Sequence, residues 1–161
     1  MTEIKIQPIT AEAFAPYGDV IEVSGTPDKI INQGLCGRFH DLARMAFGTD
    51  GRAGISLFQA ELRILPLTLD MVERHPEGSQ AFLPMSMDGF LVIVAPDENG
   101  APGTPLAFMT KPGQGVNYLP NTWHGVLTPV AGSGLFAVID RIGVTPNLQE
   151  FWFPDPFVVT L

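Results

Sequence analysis

Fifteen prolines and seventeen glycines are spread along the whole chain instead of gathering in one linker, and they punctuate runs of five to eight residues rich in Val, Ile, Leu and Phe. Runs of that length, bounded by turn formers, read as β-strands. Candidate strands are Ile4 to Ile9, Asp19 to Val23, Gly54 to Leu62, Leu67 to His75, Ser79 to Pro84, Gly89 to Ala95, Leu106 to Thr110, Gly115 to Tyr118, Gly125 to Val130 and Leu135 to Arg141. About ten strands suffice to close a β-barrel or build a double-sheet jelly roll. The expected class is therefore all-β, with one or two short helices. Thr10 caps a turn through Phe14 that Pro16 and Gly18 stop, and Asp41 to Phe47 is a second candidate whose alternative is a loop.

With 161 residues the chain is the size of a single domain, expected over 1–161, and can bury a core without metal or disulfide staples. Hydrophobic residues make up 45% and charged residues 16%, too apolar a mixture for a disordered tail. A net charge of -8 with scattered Lys and Arg opposes binding to nucleic acid or to an anionic membrane. It leaves a small anionic substrate open, because one arginine in a dry pocket dominates the local field. The single Cys36 cannot form an internal disulfide, and MTEIKIQPIT has neither the basic nor the apolar region of a signal peptide, so a reducing cytoplasm is expected. The longest apolar run, Phe90 to Pro96, is far short of the roughly 20 residues a membrane helix needs.

Two of the three histidines lie in ERHPEGSQAFLP, residues 73–84, and GVNYLPNTWH, residues 115–124. Side chains alternate across a strand, so Leu69, Met71, Glu73 and His75 share one face, with Gln80 just past the turn. If Leu69 and Met71 point inward, Glu73 and His75 follow them near the barrel rim. A buried carboxylate needs a partner. Either the pair lines a pocket with His124, or Glu73 and His75 bond each other or reach solvent beyond a bulge. His124 follows Pro120 and Trp123; taken alone it reads as a turn or core histidine, and opposite a Glu-x-His strand it becomes a third ligand. Imidazole, carboxylate and the Gln80 amide together suit a divalent first-row metal better than magnesium or calcium.

In INQGLCGRFHDL, residues 31–42, Arg38 and His40 share a strand face. Arg38 is either a carboxylate clamp or the surface partner of Asp41. Arg141, closing LFAVIDR, is a second anion contact or a structural ion-pair partner. Nucleophilic catalysis has little support, since Cys36 has no adjacent base and no serine sits in a Gly-x-Ser-x-Gly turn. Phosphate-cradling loops are missing as well. FWFPDPFVVTL, residues 151–161, is apolar enough to dock, either at a dimer interface or on its own barrel.

With these residues in view, the chain resembles the ureidoglycolate lyases. The resemblance runs through FAPYGDVIE at 14–22, INQGLCGRFHDL at 31–42, LPLTLDMVERHPEGSQAFLPM at 65–85, GQGVNYLPNTWH at 113–124 and IDR at 139–141; ERHPxGSQAF and GVNYxxNxWH are its specific strings. It implies a cupin-like β-barrel, a homodimer, and cleavage of ureidoglycolate to glyoxylate and urea in allantoin breakdown. It also implies His75, His124 and Glu73 as catalytic residues, and Arg38, His40, Gln80 and Arg141 as substrate contacts. Glu73, His75, Gln80 and His124 would be the ligands of a divalent metal such as nickel or manganese. Gln80 departs from the glutamate usual in cupins and is a weak neutral ligand. The competing readings are another metal-dependent cupin enzyme on a small hydroxy acid, or a non-catalytic cupin that binds a carboxylate.

Overall fold

A computed structural model describes all 161 residues. The strands are β1 (Thr2–Pro8), β2 (Gly18–Ile21), β3 (Lys29–Ile31), β4 (Cys36–Arg38), β5 (Arg52–Gln59), β6 (Leu67–Arg74), β7 (Gln80–Pro84) and β8 (Phe90–Ala95) in the first part of the chain. They continue as β9 (Asp97–Glu98), β10 (Ala101–Pro102), β11 (Leu106–Met109), β12 (Gly115–Tyr118), β13 (Trp123–His124), β14 (Thr128–Pro129), β15 (Leu135–Ile142) and β16 (Gln149–Thr160). One short helix, α1 (Ala11–Phe14), starts where the Thr10 hydroxyl accepts from the Ala13 N–H. Asp41 to Phe47 is a loop, not a second helix.

The architecture is an all-β, cupin-like barrel. β11, β1, β16, β6, β13 and β8 pair in that order, and β8 returns to β11 to close a ring. β2, β12, β7, β15 and β5 form a second sheet. The strand FLVIVA of β8 explains how the layers join, because all six of its residues are buried. Phe90, Val92 and Val94 enter a cluster with Phe82, Val116, Tyr118, Phe136 and Val138 of the second sheet. Leu91, Ile93 and Ala95 enter a cluster with Ile4, Leu67, Leu69, Val72 and Val159. A strand covered on both faces reads as a continuous apolar run rather than an alternating one. Each fully buried aromatic or branched side chain stabilises by about 1.5–3 kcal/mol.

Of the two alternatives for the C-terminal tail the structure takes its own barrel, and the expected alternation of β6 changes. The C-terminal tail is the long strand β16, antiparallel to β6 and parallel to β1. Its prolines 154 and 156 disguise it in the sequence, and they sit where its register against β6 shifts between Trp152 and Phe157. Phe151, Phe153 and Phe157 pack edge to face along this segment, and Phe151 meets Trp123 the same way. Strict alternation along β6 also fails. Val72 is fully buried in the same cluster as Leu67 and Leu69, so the inward face switches parity opposite the β16 irregularity.

Candidate active site

That switch decides where Glu73 goes. His124 on β13 stands in register with Glu73 on one side and Val94 on the other. Cross-strand partners project to the same face. Glu73 and His124 are therefore neighbours on the face that Val94 turns toward the second sheet. Arg74 takes the opposite face, its guanidinium 4.2 Å over the Trp123 ring and 2.8 Å from Asp97, which also accepts from Trp123 Nε1. From the second sheet, Gln80 lies in register with Tyr118 and Asp140. The Tyr118 ring stacks flat on His124, centroids 4.2 Å apart and planes 6° apart. His75, just beyond β6, brings its ring to 5.2 Å from that of His124.

The hydrogen bonds of the two imidazoles determine their chemistry. His75 Nδ1 lies 2.8 Å from the Asn147 carbonyl, and His124 Nδ1 lies 2.9 Å from the carbonyl of Gly125. A carbonyl only accepts, so each Nδ1 carries the proton and, in the neutral ring, each Nε2 presents a lone pair. Both Nε2 atoms are buried without a hydrogen-bond partner. His75 Nε2 is 3.8 Å from Glu73 Oε1. Burial pushes the Glu73 carboxyl above its ordinary range, Glu150 across the strand adds to this, and His75 opposes it. His124 is pushed down to about 3 by burial and by His75, against the Gly125 carbonyl, so it is neutral near pH 7. Burial, then the nearby Glu73, raises the Tyr118 hydroxyl, which stays protonated.

Ligand atoms of Glu73, His75 and His124 all lie within 4.8 Å of one another. Two imidazole nitrogens and a carboxylate form a donor set for a divalent first-row cation. The two orphaned Nε2 atoms fit that role, since a buried acceptor left unmet costs about 1–3 kcal/mol. Gln80 Oε1 is also buried and unpartnered, while its Nε2 donates to Asp140 Oδ2 at 3.1 Å. Glu73 and Gln80 line an open cleft of about 360 Å³ with Phe58, Phe82, Val126 and Leu127 among its walls.

Three expected contacts stand apart. Arg38 and His40 are exposed on and just after the β3–β4 hairpin, and neither side chain forms a hydrogen bond or ion pair within the chain. Arg141 is buried, but it neighbours Asp140 on β15 and so faces the other way. Its Nε donates to the Phe47 carbonyl and its Nη2 to Thr145 Oγ1, both at 2.9 Å. A Cβ on Gly51, Gly78 or Gly143 would collide with it. Arg141 thus ties two loops together and is not in the cluster. Asn147, Gly125, Tyr118 and Asp140 escape a reading of the sequence. Of these, Tyr118 and Asp140 carried a signal, since they lie in the strings GVNYLPNTWH and IDR.

The match to known proteins covers the fold and the site together. The family model described as Ureidoglycolate lyase matches residues 1–160. The chain belongs to the ureidoglycolate lyase family. It is 60% identical over 159 residues to the ureidoglycolate lyase of Rhodobacter capsulatus, covering 99% of each chain. Against the ureidoglycolate lyase of a Chelativorans species it is 53% identical, covering 100% of this chain and 98% of the other. Identity to ureidoglycolate lyase 2 of Rhizobium meliloti is 51%, over 99% and 98% of the two chains.

Proposed function

We propose that Glu73, His75 and His124 form the site at which this chain cleaves ureidoglycolate to glyoxylate and urea. The observation that carries the assignment is the pair of buried, unpartnered Nε2 lone pairs beside a carboxylate raised by burial. The substrate carbon bears a hydroxyl and a urea nitrogen. Its hydroxyl loses a proton, the oxygen's electrons form the aldehyde carbonyl, the carbon–nitrogen bond breaks, and the departing nitrogen gains a proton. Glu73, which keeps a second carboxylate oxygen when one binds a cation, is suited to take the first proton and return one to the leaving urea, while His75 Nε2, 3.8 Å from Glu73 Oε1, offers its lone pair as a ligand. His124, held neutral, keeps its Nε2 lone pair available. A divalent cation such as nickel or manganese on these three residues would hold the substrate carboxylate and stabilise charge on the oxygen becoming carbonyl. That removes the need for an arginine clamp, in keeping with the exposure of Arg38 and the hydrogen bonds that commit Arg141.

The wider setting is an extension of the same reading: one domain over 1–161, acting in the cytoplasm on ureidoglycolate derived from allantoin. A homodimer would cover the outer face of β5, where Ile55 and Leu57 are exposed. No helix is long and apolar enough to cross a membrane. The test is a coupled urea and glyoxylate assay on racemic ureidoglycolate, with and without chelator. Equal amounts of the two products and loss of rate on chelation are expected; release of neither product sinks the assignment.

A further inference from the structure

The unmet polar atoms of the site share one property. His75 Nε2, His124 Nε2 and Gln80 Oε1 are all acceptors, and Glu73 adds an ionisable carboxylate. What complements them is a cation or a donor. The first two converge with Glu73, where a divalent cation would meet them. Gln80 stands on the opposite sheet and needs an account of its own.

Which end of the Gln80 amide faces the cleft is decided by Asp140. The two residues are in register on β7 and β15. Gln80 Nε2 is 3.1 Å from Asp140 Oδ2, and an ionised carboxylate accepts only. The amide nitrogen must therefore lie toward Asp140, which leaves Oε1 as the free end, buried and without a partner. A serine or an asparagine opposite Gln80 would allow either orientation; a carboxylate allows one.

We infer that Asp140 is a positioning residue that holds Gln80 as a hydrogen-bond acceptor for the terminal N–H of the substrate's ureido group. This deepens the assignment above and rests on it. Of the substrate's groups, the carboxylate and the carbonyl only accept, the hydroxyl proton is the one transferred, and the inner N–H sits on the nitrogen that takes up a proton as its bond to carbon breaks. The terminal amide supplies two N–H donors, and Gln80 Oε1 is a buried, unpartnered acceptor on the wall of the cleft that Glu73 also lines.

The test uses two ligands that cannot undergo the cleavage. Ureidoacetate keeps the carboxylate and the ureido group and lacks the hydroxyl; N-acetylglycine replaces the terminal amine with a methyl. Calorimetric titration of the intact protein should give a preference of about tenfold or more for ureidoacetate. Asp140→Asn frees the Gln80 amide to turn over, and the preference should fall to within about twofold. Gln80→Met keeps the side chain's length, removes the acceptor, and should do the same. With ureidoglycolate, Asp140→Asn should raise KM more than it lowers kcat. Thermal unfolding of each variant establishes that it is folded. Equal affinity of the parental protein for the two ligands overturns the inference, as does an unchanged preference in folded Asp140→Asn. Loss of bound metal in Gln80→Met would instead make the amide a ligand, and also overturns it. A parental protein that releases no urea yet prefers ureidoacetate would break the proposed reaction and leave the Gln80 acceptor standing.

Discussion

His75 and His124 present the same atom to the same site, yet the regions that hold them are built differently. His124 is inside a sheet: two strands flank it in register, Tyr118 covers its ring, and its Nδ1 is satisfied by the next residue in the chain. His75 lies past the end of β6, and its Nδ1 depends on Asn147, which approaches from a loop after β15. The Asn147 side chain also accepts from the Glu77 N–H at 2.6 Å, and Arg141 holds the start of the same loop through Thr145. One imidazole is fixed by sheet register, the other by a strap. Changes near His124 should therefore act on stability and activity together, and changes near His75 should separate them.

The largest effects come from removing either ring. His75→Ala and His124→Ala should each lower urea release by about 10²–10⁴-fold, because each removes a lone pair that would hold a cation worth several kcal/mol to the transition state. Only His124→Ala should also cost about 2 kcal/mol or more in denaturant unfolding, because its ring is fully buried against Tyr118. Equal destabilisation by the two variants would erase the contrast. Arg141→Leu comes next. It removes two hydrogen bonds from a buried guanidinium, each worth about 1.5–3 kcal/mol, and loosens the strap. Its unfolding midpoint should fall sharply, with kcat reduced more than ten times less than in His75→Ala.

Acid sharpens the comparison further. The pKa of His124 in the folded chain is about 3, below the 6.5 of the free side chain, so the unfolded chain binds the extra proton across that window. In metal-free protein, stability should thus fall as pH drops below 6.5, by up to about 1.4 kcal/mol per pH unit from this group. His124→Phe should flatten that part of the unfolding profile; an unaltered slope would assign it to other groups. The smallest effect is expected from Asn147→Ala, which leaves the carbonyl to His75 and removes the bond to Glu77. A loss of about 1 kcal/mol in stability and a several-fold lower kcat, measured by steady-state kinetics, would fit a loosened strap.

The same contrast explains what could be read from the chain. The apolar run of β8 and the turns beside it are local signals, and they suffice for an all-β barrel. Glu73, His75 and His124 could be nominated because each sits in a short patterned string. Their facing could not be derived, since the parity of β6 changes opposite an irregularity in β16, a strand hidden by its own prolines. Asn147 is 72 residues from His75, and nothing in its neighbourhood marks the contact. Asp140 and Arg141 are different: adjacent strand residues cannot both face one cleft, so either could have been ruled out once the other was placed.

Both imidazoles lean on main-chain carbonyls, and that bears on how this site tolerates drift. Every amino acid supplies the same oxygen, so replacements at 125 or 147 that preserve the backbone path leave each Nδ1 protonated and each Nε2 free. A lineage can vary the side chains around the two rings, and with them fit and stability, without altering which nitrogen is offered. The positions where a substitution would reverse that polarity are those where a side chain sets it, and Asp140 beside Gln80 is one.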